Sequence, residues 1–224
     1  MKATGPHANQ PVEYAGAPLD SAPAVVIMMH GRGAAPKNIL DLVGTIARPH
    51  LTYVAPAAAG GTWYPFGFMS PREQNEPYLS SAFSIVDSLV DSLVQRGFAT
   101  DKIALLGFSQ GACLSAEYVL RSPRQYGGVF VLSGGVIGPK GTTWDDVAGD
   151  LQRTPILLGC SDVDSHIPAE RVLESEAVFK RLNARTKRIL YPGMGHTVNE
   201  DEIHHVQHVL DMLTDVGAQR APPT

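Results

Sequence analysis

The chain has 224 residues, of which 44% are hydrophobic and 18% are charged, a balance typical of one globular domain with a sizeable core. No apolar run is long enough to cross a bilayer, which excludes a membrane-spanning protein. The net charge of -4 gives no general attraction to nucleic acid or anionic lipid, so we expect a small-molecule partner. The segment Met1–Gln10 lacks the basic and apolar parts of a signal peptide, and we expect a cytoplasmic monomer or homodimer.

Short apolar runs predict the β-strands of the fold. In chain order they are a candidate edge strand at Val12–Ala17 and strands at Ala24–Met29, Leu51–Val54, Lys102–Leu106, Gly128–Leu132, Ile156–Leu158 and Arg188–Tyr191. Strands that are apolar throughout are typical of a parallel sheet that is covered on both faces.

Longer stretches with helical spacing lie between these strands. They predict helices at Asn38–Ile46, Leu79–Val94, Ala112–Leu120, Ala169–Leu182 and Glu200–Leu213. In the predicted helix Ala169–Leu182, we expect Arg171 to be solvated. Strands that alternate with helices indicate a doubly wound α/β fold. We expect a single domain over 1–224, with an ordered core at about 12–216 and flexible ends.

A G-x-S-x-G motif lies where a predicted strand meets a predicted helix. It reads Gly107-Phe108-Ser109-Gln110-Gly111 and follows the strand at Lys102–Leu106. In this context the serine projects from a sharp turn, and the glycines let the strand and helix approach closely. The motif therefore predicts that Ser109 is a nucleophile, although the pattern alone also fits a glycine-rich turn with an incidental serine.

An activated serine needs a base, and the base needs a third group that orients it. His196 lies on a glycine-rich loop after the strand at Arg188–Tyr191, and Asp162 and Asp164 follow the strand at Ile156–Leu158. This order, with each group behind a strand, predicts a triad assembled from three loops at one sheet edge. Both aspartates fit the spacing, and one of them can serve only to brace the loop.

The other histidines and both cysteines are predicted to have no catalytic role. His30 precedes the serine in the chain, which favours a structural role. A metal site at His204 and His208 would need a third ligand that the sequence does not offer, so a solvated helix face is favoured. Cys113 and Cys160 form no metal-binding or redox motif and are expected to be reduced and buried.

A glycine-rich turn after the first long strand, His30–Ala35, predicts the oxyanion hole. Attack on a carbonyl places negative charge on oxygen, and fixed backbone N–H groups stabilise that charge. The N–H groups of Arg32 and Gln110 are the candidate donors. The turn matches neither nucleotide-binding glycine motif, which argues against a phosphate site.

The long connection Ala55–Tyr78 is rich in large apolar side chains, which argues against disorder. We expect it to form a wall of an apolar substrate pocket through Trp63, Tyr64, Phe66 and Met69. The alternative is a loop that Trp63 and Phe66 anchor to the core.

The chain resembles the phospholipase/carboxylesterase branch of the α/β-hydrolase superfamily, which includes bacterial carboxylesterases and acyl-protein thioesterases. The resemblance runs from about Val25 to Leu213. The motifs that carry it are His30-Gly31-x-Gly33, Gly107-Phe108-Ser109-Gln110-Gly111, Asp164-x-x-x-Pro168 and Gly195-His196. Two positions depart from the thioesterases: Arg32 stands where they usually carry Leu, and Tyr-Pro-Phe follows Trp63 where theirs typically reads Phe-Asp.

This resemblance implies an α/β-hydrolase fold with a minimal cap and no cofactor. It also implies a triad of Ser109, Asp164 and His196, which favours Asp164 over Asp162, with oxyanion donors at Arg32 and Gln110. The implied function is a serine carboxylesterase that hydrolyses small to medium esters. The alternatives are a lysophospholipase or acyl-protein thioesterase for long acyl chains, and a hydrolase-like ligand-binding protein with little turnover. The Arg32 side chain is also a candidate partner for an acidic group on the substrate.

Overall fold

The computed structural model describes residues 3–48 and 50–218. In this part of the chain, seven strands form one sheet in the order β1-β3-β2-β4-β5-β6-β7. They are β1 (Val12–Gly16), β2 (Val25–Met29), β3 (Thr52–Pro56), β4 (Ile103–Phe108), β5 (Gly128–Leu132), β6 (Pro155–Ser161) and β7 (Arg185–Tyr191). The edge strand β1 pairs antiparallel with β3, and the other neighbours pair in parallel.

Helices cover both faces of this sheet. They are α1 (Pro36–Leu40), α2 (Val43–Ile46), α3 (Tyr78–Gln95), α4 (Gln110–Arg121), α5 (Ala169–Arg181) and α6 (Glu200–Ala218). The apolar side chains of α3, α4 and α5 join the core cluster on one face, and those of α1, α2 and α6 join the cluster on the other.

Strand β2 shows why the central strands are apolar throughout. All five of its side chains are fully buried. Val25, Ile27 and Met29 enter the core under α3 and α4, whereas Val26 and Met28 enter the core under α6. Because successive side chains of a strand point to opposite faces, a polar residue at any of these positions would be buried without a partner.

The structure confirms the α/β fold class and all seven predicted strands, including the edge strand. The predicted helix at Asn38–Ile46 is wrong as a single element, because α1 and α2 are separate short helices joined at Asp41 and Leu42. The described residues contain no helix that is long and apolar enough to span a membrane.

The N-terminal segment differs from the expected flexible start before residue 12. His7 is fully buried, and its backbone N–H donates to the Ser81 hydroxyl at 2.9 Å. The Thr4 N–H donates to the hydroxyl of Ser84 on the same helix, α3. The segment 3–11 is thus part of the packed structure, and the expected flexibility of 1–2 and 219–224 concerns residues outside those described.

Candidate active site

The turn between β4 and α4 presents Ser109 at the carboxyl edge of the sheet. Ser109 has a φ of 55°, a left-handed conformation that is rare for a residue with a side chain. A Cβ on Gly107 would overlap the backbone of Gly111, and a Cβ on Gly111 would overlap the carbonyl oxygen of Met29. Only glycine at both positions allows this tight strand-to-helix approach, which is why the motif is readable in the sequence.

Three side chains from three loops form one hydrogen-bonded chain. Ser109 Oγ lies 2.8 Å from His196 Nε2, and His196 Nδ1 lies 2.7 Å from Asp164 Oδ2. A carboxylate only accepts hydrogen bonds, so the imidazole carries its proton on Nδ1 and leaves Nε2 free to accept from the serine hydroxyl. The Asp164 side chain is fully buried and that of His196 is 19% exposed. The arrangement can draw a proton from Ser109.

The two candidate aspartates have different partners. Asp164 Oδ1 accepts the N–H groups of His166 and Ile167, at 2.8 and 3.0 Å, while Oδ2 faces the imidazole. Burial alone would raise the pKa of Asp164, but these hydrogen bonds outweigh it and the pKa lies below its usual value. Asp162 instead accepts the N–H of Gly193 at 2.8 Å, and so braces the loop that carries His196.

Two backbone N–H groups beside Ser109 are free to bind an oxyanion. In the described structure, the N–H groups of Arg32 and Gln110 have no acceptor. Gln110 is the first residue of α4, where the helix dipole also favours negative charge. Its side chain accepts the Trp63 N–H at 2.9 Å and donates to the Tyr64 carbonyl at 2.8 Å, which fixes the residue in place.

Two buried histidines support the glycine-rich turn 30–35, which is the predicted oxyanion loop. His30 Nε2 accepts the Ala58 N–H at 3.1 Å, so Nδ1 carries the proton and donates to the Gly31 carbonyl at 2.8 Å. The Trp63 indole packs against the His30 ring and donates to its carbonyl at 2.9 Å. Across Trp63, His7 Nε2 donates to the Trp63 carbonyl at 3.0 Å. Burial lowers the pKa of both histidines and keeps them neutral.

A cleft of about 440 Å³ opens above Ser109. Its lining combines the triad serine and histidine with apolar side chains, and it is made by Gly31, Arg32, Ala34, Tyr64, Gly67, Phe68, Phe108, Ser109, Gln110, Cys113, His166, Ile167 and His196. Tyr64 and Cys113 are 1% exposed and form its inner wall. Burial raises the pKa of the Cys113 thiol to about 12, so it is a neutral part of that wall.

Three of the four predicted substrate-binding side chains do not line this cleft. Trp63 is fully buried in the core, where its indole binds the His30 carbonyl. Phe66 is 53% exposed and is absent from the lining, and its backbone N–H and carbonyl are bound by Asn75 and Arg32. Met69 is also absent from the lining. Tyr64 does line the cleft. Phe68, which was not among the predicted substrate-binding residues, lines it as well.

The family of the chain follows from comparison with known proteins. The family model described as Phospholipase/Carboxylesterase matches residues 13–214. The chain belongs to this family. A crystal structure of a phospholipase/carboxylesterase from Dyadobacter fermentans superposes with a TM-score of 0.87 and is 35% identical, over 93% of this chain and 99% of that one.

Two curated relatives have lower sequence identity to the chain. A probable carboxylesterase of Arabidopsis thaliana is 25% identical over 138 residues, which is 62% of this chain and 52% of that protein. Acyl-protein thioesterase 1 of Kluyveromyces lactis is 27% identical over 59% of this chain and 59% of its own length. The chain thus spans little more than half the length of these relatives.

In this family member, a buried arginine packs behind Phe68 on one side of the cleft. The expectation that Arg171 is solvated is wrong, since its side chain is 1% exposed. Its guanidinium donates to the carbonyls of Val136, Gly138 and Pro139 and lies 5.7 Å from the centre of the Phe68 ring. The backbone carbonyls that it serves come from a loop distant in sequence, so no local pattern could indicate this role.

Like Arg171, Glu202 is an ionisable residue that is buried; it lies on the first turn of α6. It forms a reciprocal cap with Asn199: each backbone N–H donates to the other's side chain, at 2.9 Å. In the described structure its Oε1 has no hydrogen-bond partner, and it packs against Gly159. Glu202 therefore joins the end of β6 to the segment after His196. Sequence reasoning placed it in a helix and assigned it no role.

Of the other candidates, Cys160 is buried beside Asp164, with its Sγ 3.8 Å from Oδ2. Burial raises the pKa of this thiol to about 12. His204 and His208 belong to no cluster of three potential metal ligands among the residues described.

Proposed function

We propose that this chain is a serine carboxylesterase that hydrolyses small to medium carboxylic esters through an acyl-enzyme. The observation that carries the proposal is the chain of hydrogen bonds from Ser109 Oγ to His196 at 2.8 Å and from His196 to Asp164 at 2.7 Å. Membership of the phospholipase/carboxylesterase family supports it. So does the position of these groups in an apolar cleft.

The first half of the reaction acylates the enzyme. His196 Nε2 takes the hydroxyl proton as Ser109 Oγ bonds to the ester carbonyl carbon. The N–H groups of Arg32 and Gln110 then stabilise the tetrahedral oxyanion. When the intermediate collapses, the bond to the alcohol oxygen breaks and that oxygen takes the proton from His196. Asp164 holds the imidazole in its tautomer and stabilises the imidazolium.

The second half releases the acid. Water enters the place of the alcohol, gives a proton to His196 Nε2 and attacks the acyl carbon. The new tetrahedral intermediate uses the same two N–H groups. Its collapse breaks the bond to Ser109 Oγ, which recovers its proton, and the carboxylic acid leaves the cleft. The two transfers between Ser109 Oγ and His196 Nε2 use groups that already lie within hydrogen-bond distance.

Labelling with a fluorophosphonate probe tests whether the serine is activated. We expect the wild type to be labelled, Ser109→Ala to remain unlabelled, and Ser80→Ala, at an exposed hydroxyl on α3, to be labelled like the wild type. For a short p-nitrophenyl ester, Ser109→Ala and His196→Ala should each lower kcat by a factor of about 10³ or more. An unlabelled but folded wild type would contradict the proposal and favour a ligand-binding protein.

The second candidate is a lysophospholipase or acyl-protein thioesterase that acts on long acyl chains. It is favoured by the likeness to acyl-protein thioesterase 1 of Kluyveromyces lactis. A chain-length series from acetyl to palmitoyl esters separates the two, since each methylene buried in a channel adds about 0.8 kcal/mol to binding. Because Tyr64 and Cys113 form a buried inner wall, we expect kcat/KM to peak at short to medium chains. A continuous rise to palmitoyl would favour the second candidate.

A further inference from the structure

Among the described residues that line the cleft, Arg32 is the one with a permanently charged side chain. The residue is exposed at the cleft, and in the described structure no carboxylate lies within ion-pair distance of its side chain. None of the described residues that line the cleft is an aspartate or a glutamate. A bound substrate therefore meets a single uncompensated positive charge.

Three backbone carbonyls hold this guanidinium in place. Nη1 donates to the Pro65 carbonyl at 2.8 Å, and Nη2 donates to those of Tyr64 and Phe66, at 3.0 and 2.6 Å. Carbonyls accept hydrogen bonds but do not neutralise the charge. An arginine has five N–H donors, so two of them, on Nε and Nη1, remain without an acceptor in the described structure. The cation is thus pre-positioned and still has free donors.

The backbone of the same residue carries a candidate oxyanion donor, and Arg32 lines the same cleft as Ser109. We propose that the Arg32 side chain selects esters that bear a carboxylate near the scissile bond. This inference rests on the proposed esterase function and adds the substrate class. A planar guanidinium matches a carboxylate in geometry, and pre-positioning reduces the entropy lost on binding.

The experiment compares two pairs of esters by kcat/KM. In the first pair the acyl group differs: the mono-p-nitrophenyl ester of glutaric acid against p-nitrophenyl pentanoate. In the second pair the alcohol differs: the butanoyl ester of 4-hydroxybenzoate against phenyl butanoate. The measured quantity is the ratio of kcat/KM for the acidic ester to that for the neutral ester, which cancels changes common to both. The responding pair shows which side of the ester carries the carboxylate.

Two variants separate the charge of Arg32 from its hydrogen bonds to the loop. Arg32→Gln and Arg32→Lys both lose the three-carbonyl contact, but only Arg32→Lys keeps the charge. Arg96→Gln removes one positive charge at the far end of α3, where Arg96 pairs with Asp20, and so controls for net charge.

In one pair or the other, we expect the acidic-to-neutral ratio to fall about tenfold in Arg32→Gln, the equivalent of one charge-assisted hydrogen bond. The ratio should fall much less in Arg32→Lys and stay at the wild-type value in Arg96→Gln. The wild-type ratio should also fall as the salt concentration rises, because Arg32 is exposed to solvent and dissolved ions screen its charge.

Two outcomes would overturn the inference, and they differ in what they imply. If Arg32→Gln lowers kcat/KM for acidic and neutral esters equally in both pairs, Arg32 only braces the loop, and the esterase proposal stands. If the wild type hydrolyses neither member of either pair and is not labelled by the fluorophosphonate, the proposed function fails and this inference fails with it.

Discussion

The stability of the protein should depend on pH through Glu202. Its carboxyl group is fully buried, one oxygen has no partner in the described structure, and burial raises its pKa to about 7 from an ordinary value of 4.5. The native state then holds a proton that the unfolded chain releases between these two pH values. The contribution of Glu202 to stability is greatest below pH 4.5, where both states are protonated, and is lost as the pH rises to about 7.

The size of the effect follows from the shift in pKa. One pH unit corresponds to about 1.4 kcal/mol, so the contribution of Glu202 should change by about 3 kcal/mol between pH 4.5 and pH 8. Glu202→Gln keeps the shape of the side chain and an oxygen for the Asn199 N–H but cannot ionise. The variant should therefore gain about 3 kcal/mol relative to the wild type over this range.

Urea unfolding at a series of pH values measures this difference. Other titrating groups cancel when the variant is compared with the wild type at each pH. Glu200→Gln, at an exposed position two residues earlier in the same turn of α6, controls for the loss of an acidic residue. The reasoning fails if the stability difference between Glu202→Gln and the wild type is constant with pH, or if it moves against the variant as the pH rises.

Three further predictions concern the triad loop, the nucleophile turn and the oxyanion loop. Asp164→Asn should lower kcat by about 10⁴-fold, whereas Asp162→Asn keeps an oxygen for the loop N–H and should cost less than about tenfold; a larger loss at Asp162 would reverse the assignment. Gly111→Ala places a Cβ against the last carbonyl of β2, and urea unfolding should show a loss of stability of about 3 kcal/mol or more. The control Gly44→Ala has open space around the new Cβ and should not destabilise the fold in this way. Burial lowers the pKa of His30 below 6.5, so below that pH the His30 ring binds a proton more readily in the unfolded chain than in the native state. His30 should therefore lower the stability of the protein as the pH falls below 6.5. Nitrogen NMR should show its ring neutral with the proton on Nδ1, and an imidazolium at pH 6.5 would contradict this.

The sequence was sufficient for the fold class and for Ser109 and His196, two of the three side chains in the hydrogen-bonded chain. Both rest on local signals. Burial on two faces makes a central strand such as β2 apolar throughout, and the contacts of Gly107 and Gly111 admit no side chain, so each leaves a pattern within a few residues. The order of the loops along a parallel sheet then brings His196 to the same edge as Ser109.

The lining of the cleft could not be predicted in the same way. The connection after β3 is irregular, so no period tells which of its aromatic side chains point inward, and Phe68 lines the cleft where Phe66 was expected. Arg171 is charged and lies in an amphipathic helix, yet it is buried. The carbonyls that its guanidinium binds belong to residues more than 30 positions earlier, so no local pattern predicts this burial.

What the sequence by itself determined is therefore the alternation of strands and helices and the sharp turn at Ser109, because neighbouring residues specify both. Only the tertiary structure decided between Asp162 and Asp164, which lie two residues apart on one loop and differ in what faces them: a backbone N–H in one case and the His196 ring in the other. It also showed that the Arg32 guanidinium is held by three carbonyls and keeps its charge in the cleft. These choices depend on contacts between segments far apart in the chain, and such contacts exist only once the sheet has brought its loops together.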